Sequence, residues 1–254
     1  MRSIRNLLAA GALAACLPAA ADAASVTFTN LFGTWQNQSP TGTVGGSGTT
    51  APTVRWGNPA TSAGQSGYNF VSAATPLNIV VPPSPSPSFV LGTFTHLNFP
   101  VFDPVLSSVQ LKLTTDIAVD SNPIGNFTFL FDFTHDETPN GAEPCAYGGA
   151  NDQGVNINGC ADRVTFAVNS GSAGFTIGTD TYTIAIESFQ VGGSPVTQFL
   201  TVENQSNSAE LNARVRLRSD VIGGDPNAIP TPAALSLFGL GLLGLAVLRR
   251  QPRA

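Results

Sequence analysis

Residues Phe127-Thr128-Phe129-Leu130-Phe131-Asp132-Phe133 place an aromatic ring at every second position. Side chains alternate across a strand, so all four rings fall on one face and Asp132 falls on the other. A helix would scatter the same rings around its circumference. The segment therefore predicts a strand with one fully buried face, and whatever packs on it must present a second apolar sheet face. Similar alternation runs through residues 26–29, 54–56, 89–94, 109–113, 163–168, 181–191, 198–203 and 209–218, with Gly, Pro, Asn and Ser clusters in between. The pattern predicts an all-β domain, an antiparallel β-sandwich with a jelly-roll as one form it can take. Segments 39–53, rich in Gly, Ser and Thr, and 82–87, alternating Pro and Ser, predict a flexible and an extended connection respectively.

Composition agrees with a folded chain. Hydrophobic residues make up 42% of the 254 positions and include 16 Phe, enough to bury a substantial core. Between residues 24 and 229, six basic side chains (Arg55, Lys112, Arg163, Arg214, Arg216 and Arg218) stand against fifteen carboxylates, a balance of six minus fifteen, or −9. So acidic a surface excludes nucleic acid as a partner. Arg214, Arg216 and Arg218 share one face of their strand and are expected to be solvated or ion-paired rather than to form an anion site.

Both termini carry processing features. Arg2 and Arg5 precede an apolar run at 7–17, and Ala21-Asp22-Ala23 has the small-x-small pattern of signal peptidase substrates, so residues 1–23 are expected to be an export signal cleaved after Ala23. A rival maturation exists, since Leu13-Ala14-Ala15-Cys16 resembles a lipobox with Cys16 as the acylated residue. A run of 11 residues is far short of the ~20 needed to span a bilayer. At the other end, residues 233–248 are an unbroken run of 16 apolar or small residues after Pro230-Thr231-Pro232, followed at once by Arg249-Arg250. As a helix it would span ~24 Å against a hydrocarbon core of ~30 Å, a marginal anchor with its arginines on the cytoplasmic side. Residues 221–229 are the expected linker, leaving 24–220 as the domain.

The tail resembles a PEP-CTERM sorting segment, with Thr231 where that family has Glu. The resemblance implies membrane anchoring and processing by an exosortase-type enzyme in an exopolysaccharide-producing bacterium, hence a place in the cell envelope, at the cell surface or in the extracellular matrix. Gly239-Leu240-Gly241-Leu242-Leu243-Gly244 matches a dinucleotide fingerprint, but no strand precedes it and the chain ends before an acidic ribose ligand could follow. Within the domain, Gly92-Thr93-Phe94-Thr95-His96-Leu97-Asn98-Phe99-Pro100, with Val54-Arg55-Trp56-Gly57 and Glu137-Thr138-Pro139-Asn140, resembles the PEP-CTERM group named for a Thr-His-x-Asn motif and the related choice-of-anchor K domains. This resemblance implies an address and assigns no activity. Thr95, His96 and Asn98 before Pro100 suit a strand end whose polar side chains bond to backbone groups.

Several chemistries are open to the domain. His96 and His135 are the two histidines, so a zinc site built on histidine needs both, with Asp136 or Glu137 as the carboxylate. Cys145 and Cys160, 15 positions apart, are the cysteines left after export, and an oxidising compartment favours their disulfide, worth about 3 kcal/mol by chain entropy. The oxygen-rich stretch between and after them offers Asp152, Asn156, Asn158 and Asp162 as calcium candidates, although EF-hand spacing is absent and Asn and Gly also suit a plain turn. No other cofactor is expected. Nucleophile motifs such as G-x-S-x-G are missing, so the chain is expected not to be an enzyme, with a glycan-active hydrolase using paired carboxylates as the alternative. Trp35, Trp56 and Tyr68 either form a sugar-stacking platform, as in a carbohydrate-binding module, or pack in the core.

Overall fold

The computed structural model describes residues 23–81 and 84–222. The export signal with Cys16, and the sorting segment with Pro230, Thr231, Pro232, Arg249 and Arg250, lie outside the described residues. Among the described residues no helix is long and apolar enough to cross a membrane.

The described chain is all-β. Its strands are β1 (Ala24–Ser39), β2 (Thr43–Gly45), β3 (Thr53–Trp56), β4 (Asn58–Pro59), β5 (Ser66–Ser72), β6 (Leu77–Val81), β7 (Phe89–Asn98) and β8 (Val101–Phe102). They continue as β9 (Ser108–Val119), β10 (Asn122–Asp136), β11 (Asp162–Val168), β12 (Phe175–Ile177), β13 (Asp180–Val191), β14 (Ser194–Val196), β15 (Phe199–Thr201) and β16 (Gln205–Leu217). A short helix, α1 (Ser219–Ile222), follows the last strand and takes up the start of the expected linker. One sheet has the order β15-β11-β10-β9-β1-β6 and the other β12-β13-β16-β7-β5-β3-β2, with β14 on β13 and a separate β4–β8 ribbon. Neighbouring strands pair antiparallel, as in the long registers of β1 with β9 and of β13 with β16.

One apolar core draws on both sheets, the arrangement of a β-sandwich. Phe28, Leu111, Leu113, Phe129, Phe131 and Phe133 come from the first sheet, and Phe70, Leu91, Phe94, Ile184, Phe189 and Val215 from the second. Phe94 of β7 stacks on Phe133 of β10 with centroids 5.3 Å apart, which joins the two sheets near their centres. Phe189 at 5.6 Å and Trp35 at 6.4 Å close around the same ring. The alternation that predicts the β10 strand is borne out: Phe129, Phe131 and Phe133 are fully buried, and Asp132 faces outward to accept from Gln110 and Asn169.

Three expectations are refined by the fold. Segment 39–53 contributes β2, which pairs with β3 at the sheet edge, rather than serving as a loose connection. Ser84 and Ser86 of the Pro-Ser segment accept hydrogen bonds from the backbone N–H groups of Leu217 and Val215, so this stretch covers β16 beyond its pairing with β7. Trp35, Trp56 and Tyr68, at 1%, 2% and 0% exposure, are core residues, and the sugar-stacking platform is not formed by them. The arginine face behaves as expected, with Arg214 and Arg216 on Glu187 and Arg218 on the carbonyls of Ser170 and Ser172.

Because Phe94 bridges the sheets, Phe94→Ala is expected to lower unfolding free energy by about 3–5 kcal/mol. Urea denaturation measures this, and a loss below about 1 kcal/mol would show that the stacked pair does not hold the sheets together.

Candidate functional site

At one end of the sandwich the inward-facing phase of the strands changes from apolar to polar. Along β7 it reads Phe94, His96, Asn98; along β10 and just beyond, Phe131, Phe133, His135, Glu137. On β11 Asp162 shares its phase with Val164, and on β15 Phe199 and Thr201 lead to Glu203. Asp162 and Thr201 are direct partners across the β11–β15 pair. The result is a cluster between the two sheets in which His96, Asn98, His135, Asp162, Thr201 and Glu203 are all buried. Tyr68 and Trp56 wall it on one side, with the Trp56 and His96 rings stacked 5.7 Å apart and the two histidines 5.0 Å apart.

The hydrogen bonds define the roles of the rings. His135 uses both nitrogens: Nε2 lies 3.1 Å from Glu137 Oε2 and Nδ1 lies 2.6 Å from the Tyr68 hydroxyl. A carboxylate only accepts, so Nε2 carries the proton and, in the neutral ring, Nδ1 accepts from the phenol. His96 Nδ1 lies 2.9 Å from Thr201 Oγ1, which also lies 3.4 Å from the Asp162 carbonyl. With the Thr201 proton on that carbonyl, His96 Nδ1 is the donor and Nε2, which has no partner, presents a lone pair; with the Thr201 proton on His96 Nδ1 the tautomer is reversed. Asn98 Nδ2 donates to the Thr201 carbonyl at 3.1 Å, which fixes the amide and leaves Oδ1 unpartnered.

The carboxylates are held in place yet only half satisfied. Asp162 Oδ1 accepts the Thr138 N–H at 2.7 Å, while Oδ2 has no partner. Both oxygens of Glu203 and Oδ1 of Asn140 are also buried and unpartnered. Burial, then the nearby charges of Glu137 and Glu203, push the Asp162 carboxyl up to about 9, against the opposing Thr138 N–H. Burial and the Glu137 charge push Glu203 up to about 7, although Asn140 and Asn98 lie against it and hold it down in part. His96 is driven well below the usual histidine range by burial and then by His135, which keeps the ring neutral. Among the described residues, no lysine or arginine pairs with Asp162 or Glu203.

The disulfide supports this end of the fold. Cys145 and Cys160 are bonded, as expected from their isolation in the sequence. Thr138 Oγ1 donates to the carbonyl of Cys160, and the Cys160 N–H donates to Asn140, so the cross-linked loop is tied to the segment that carries Glu137. Outside it lies an open recess of about 390 Å³ lined by Val101, Phe102, Val105, Glu137, Thr138 and Asn140, among others. The Glu137 side chain, 19% exposed, reaches from this recess to the cluster.

Of the Thr-His-x-Asn residues, His96 and Asn98 enter the cluster, and Asn98 bonds to backbone as expected; Thr95 faces outward and pairs with Ser208. The two histidines and Glu137 do come together, whereas Asp136 turns away to Tyr147 and Arg163. The four calcium candidates are not gathered into one site. Asp152 is exposed, Asn156 is spent on the backbone of Gly148, Ala150 and Ala161, Asn158 donates to the Glu203 carbonyl, and Asp162 alone has a buried oxygen without a partner. Tyr68 as a histidine partner, Thr138, Thr201 and Glu203 were not singled out from sequence as site residues. The readable signal was a polar residue standing in the apolar phase of a strand.

No family model matches the chain, and no curated protein matches it.

Tyr68→Phe removes the partner of His135 Nδ1 and leaves that nitrogen buried and unsatisfied, so a loss of about 1–3 kcal/mol is expected in urea denaturation. A neutral effect would remove the phenol from this network. Reducing the disulfide is expected to cost about 3 kcal/mol by the same measurement, and no change would mean that its loop contributes no constraint.

Proposed function

We propose that the protein is an exported component of the bacterial cell envelope or extracellular matrix with a structural or interaction role. In this reading the PEP-CTERM-like tail anchors it transiently in the inner membrane and an exosortase-type enzyme processes it. The observation that carries the reading is the Cys145–Cys160 disulfide, closed within a β domain that the sequence flanks with an export signal and a sorting tail. Such cross-links persist in oxidising compartments. The first strand supports it too, because β1 begins at Ala24 and cleavage after Ala23 leaves the whole strand in place.

A structural role is favoured over its two rivals by burial. Trp35, Trp56 and Tyr68 are enclosed, so they offer no platform to an exopolysaccharide. Asp162 and Glu203 are enclosed as well, whereas glycoside hydrolysis places two carboxyls across a substrate cleft.

Fractionation of the native host followed by mass spectrometry of the intact protein tests the proposal. The expected species is outside the cytoplasm, begins at Ala24, lacks the 233–248 segment and is two hydrogen atoms lighter for the disulfide. A full-length cytosolic species with free thiols would overturn it.

A further inference from the structure

We propose that the polar end of the sandwich binds one divalent metal ion of the manganese-to-zinc class, with Asp162 and Glu203 as carboxylate ligands and His96 Nε2 as the imidazole ligand. The site differs from both metal readings of the sequence: His135 is occupied by Tyr68 and Glu137, and the Asn-rich loop stays outside.

Three independent features point to a cation. The first is charge: Glu137, Asp162 and Glu203 bring donor oxygens within 4.8 Å of one another, and among the described residues no basic side chain pairs with Asp162 or Glu203. A carboxylate buried without a counter-charge is held by a proton or by a metal. The second is the set of vacant donors. Fully buried polar groups are nearly always bonded, yet His96 Nε2, Asn98 Oδ1 and Asp162 Oδ2 have no partner, and the Glu203 oxygens make no hydrogen bond of normal length although the Asn98 and Asn140 side chains lie against them. The third is orientation. Thr201 Oγ1 engages His96 Nδ1, and Thr138 N–H holds Asp162 Oδ1, so these two ligands are fixed through their other atoms. Metal-binding histidines and carboxylates are typically oriented in this way.

Distances and donor types narrow the ion. The donor atoms of His96, His135 and Asp162 also fall within 4.8 Å of one another. Asp162 belongs to both groups, so an ion on its free oxygen would draw Glu203 from one side and His96 from the other, and ligands across an ion with bonds of about 2.1 Å stand about 4.2 Å apart. Calcium prefers six to eight oxygens, whereas imidazole beside carboxylates suits first-row metals. Glu137, at the mouth of the recess, provides the entry path and a third carboxylate. Such an ion would tie β7 of one sheet to β11 and the end of β15 of the other.

The test uses the purified full-length protein stripped with a chelator, titrated with Mn²⁺, Zn²⁺ or Ca²⁺ and followed by thermal unfolding and by metal content after desalting. At one hundred times the dissociation constant, linkage gives about 2.7 kcal/mol, a rise of about 5–10 °C for a domain of this size. Mn²⁺ or Zn²⁺ is expected to produce that rise with one ion per chain, and Ca²⁺ at equal concentration a much smaller one. Asp162→Asn and Glu203→Gln keep the shape and remove a buried charge. Each is expected to melt no lower than the stripped wild type and to lose the metal-induced rise. The proposal is overturned by no rise with Mn²⁺ or Zn²⁺, by a larger rise with Ca²⁺, by a rise that survives both substitutions, or by variants that melt several degrees lower without metal.

Discussion

Pairing between strands forces every second side chain into the space between the sheets, where no water solvates it. That constraint governs both the apolar core and the polar cluster, because the same strands supply both. The Phe94–Phe133 stack sets the approach of β7 to β10, and one step further along the same faces His96 and His135 meet at 5.0 Å. The site is thus an extension of the core, built with equal rigidity but with groups that need partners. Thr201 and Thr138 supply some of them; the free donors of His96, Asn98, Asp162 and Glu203 remain as an unmet electrostatic demand.

That demand is costly in a stable domain. A buried carboxylate without a partner is neutralised by a proton or by a cation, and here two acids share one enclosure with a third at its mouth. A bound ion would convert the repulsion into a clamp between the sheets. The disulfide acts on the same region from outside, since Cys160 stands two positions before Asp162 and its loop is hydrogen-bonded to Thr138 and Asn140. A domain proposed to work outside the cell, where folding assistance is scarce, would gain from both.

Much of the fold was legible in the sequence because period-two alternation is local. Phe127 to Phe133 announces a buried strand by itself, and Cys145 and Cys160 pair because no other thiol lies in the domain. The site was less legible because it depends on strands distant in the chain: His96 meets Thr201 across 105 positions, and Asn98 meets the same residue across 103. Oxygen-rich residues 151–159 suggest a calcium loop because they are adjacent in sequence, yet the Asn156 amide serves the loop's own backbone and Asn158 donates to the Glu203 carbonyl. Asp162 is readable in sequence only as a calcium candidate and Glu203 not as a site residue at all; their phase with Val164 and Phe199 marks both as inward. The Thr-His-x-Asn motif was visible as a pattern; the division of labour within it, with Thr95 outside and His96 and Asn98 inside, required the register of β7 against β5 and β16.

The most direct measurement is a crystal structure of the protein grown with Mn²⁺ or Zn²⁺, with anomalous diffraction recorded on both sides of the metal edge. A single edge-dependent peak bonded to His96 Nε2, Asp162 and Glu203 is the predicted result. Carboxyls bonded to each other or to water, with no edge-dependent peak between the sheets, would contradict a metal at the heart of this cluster.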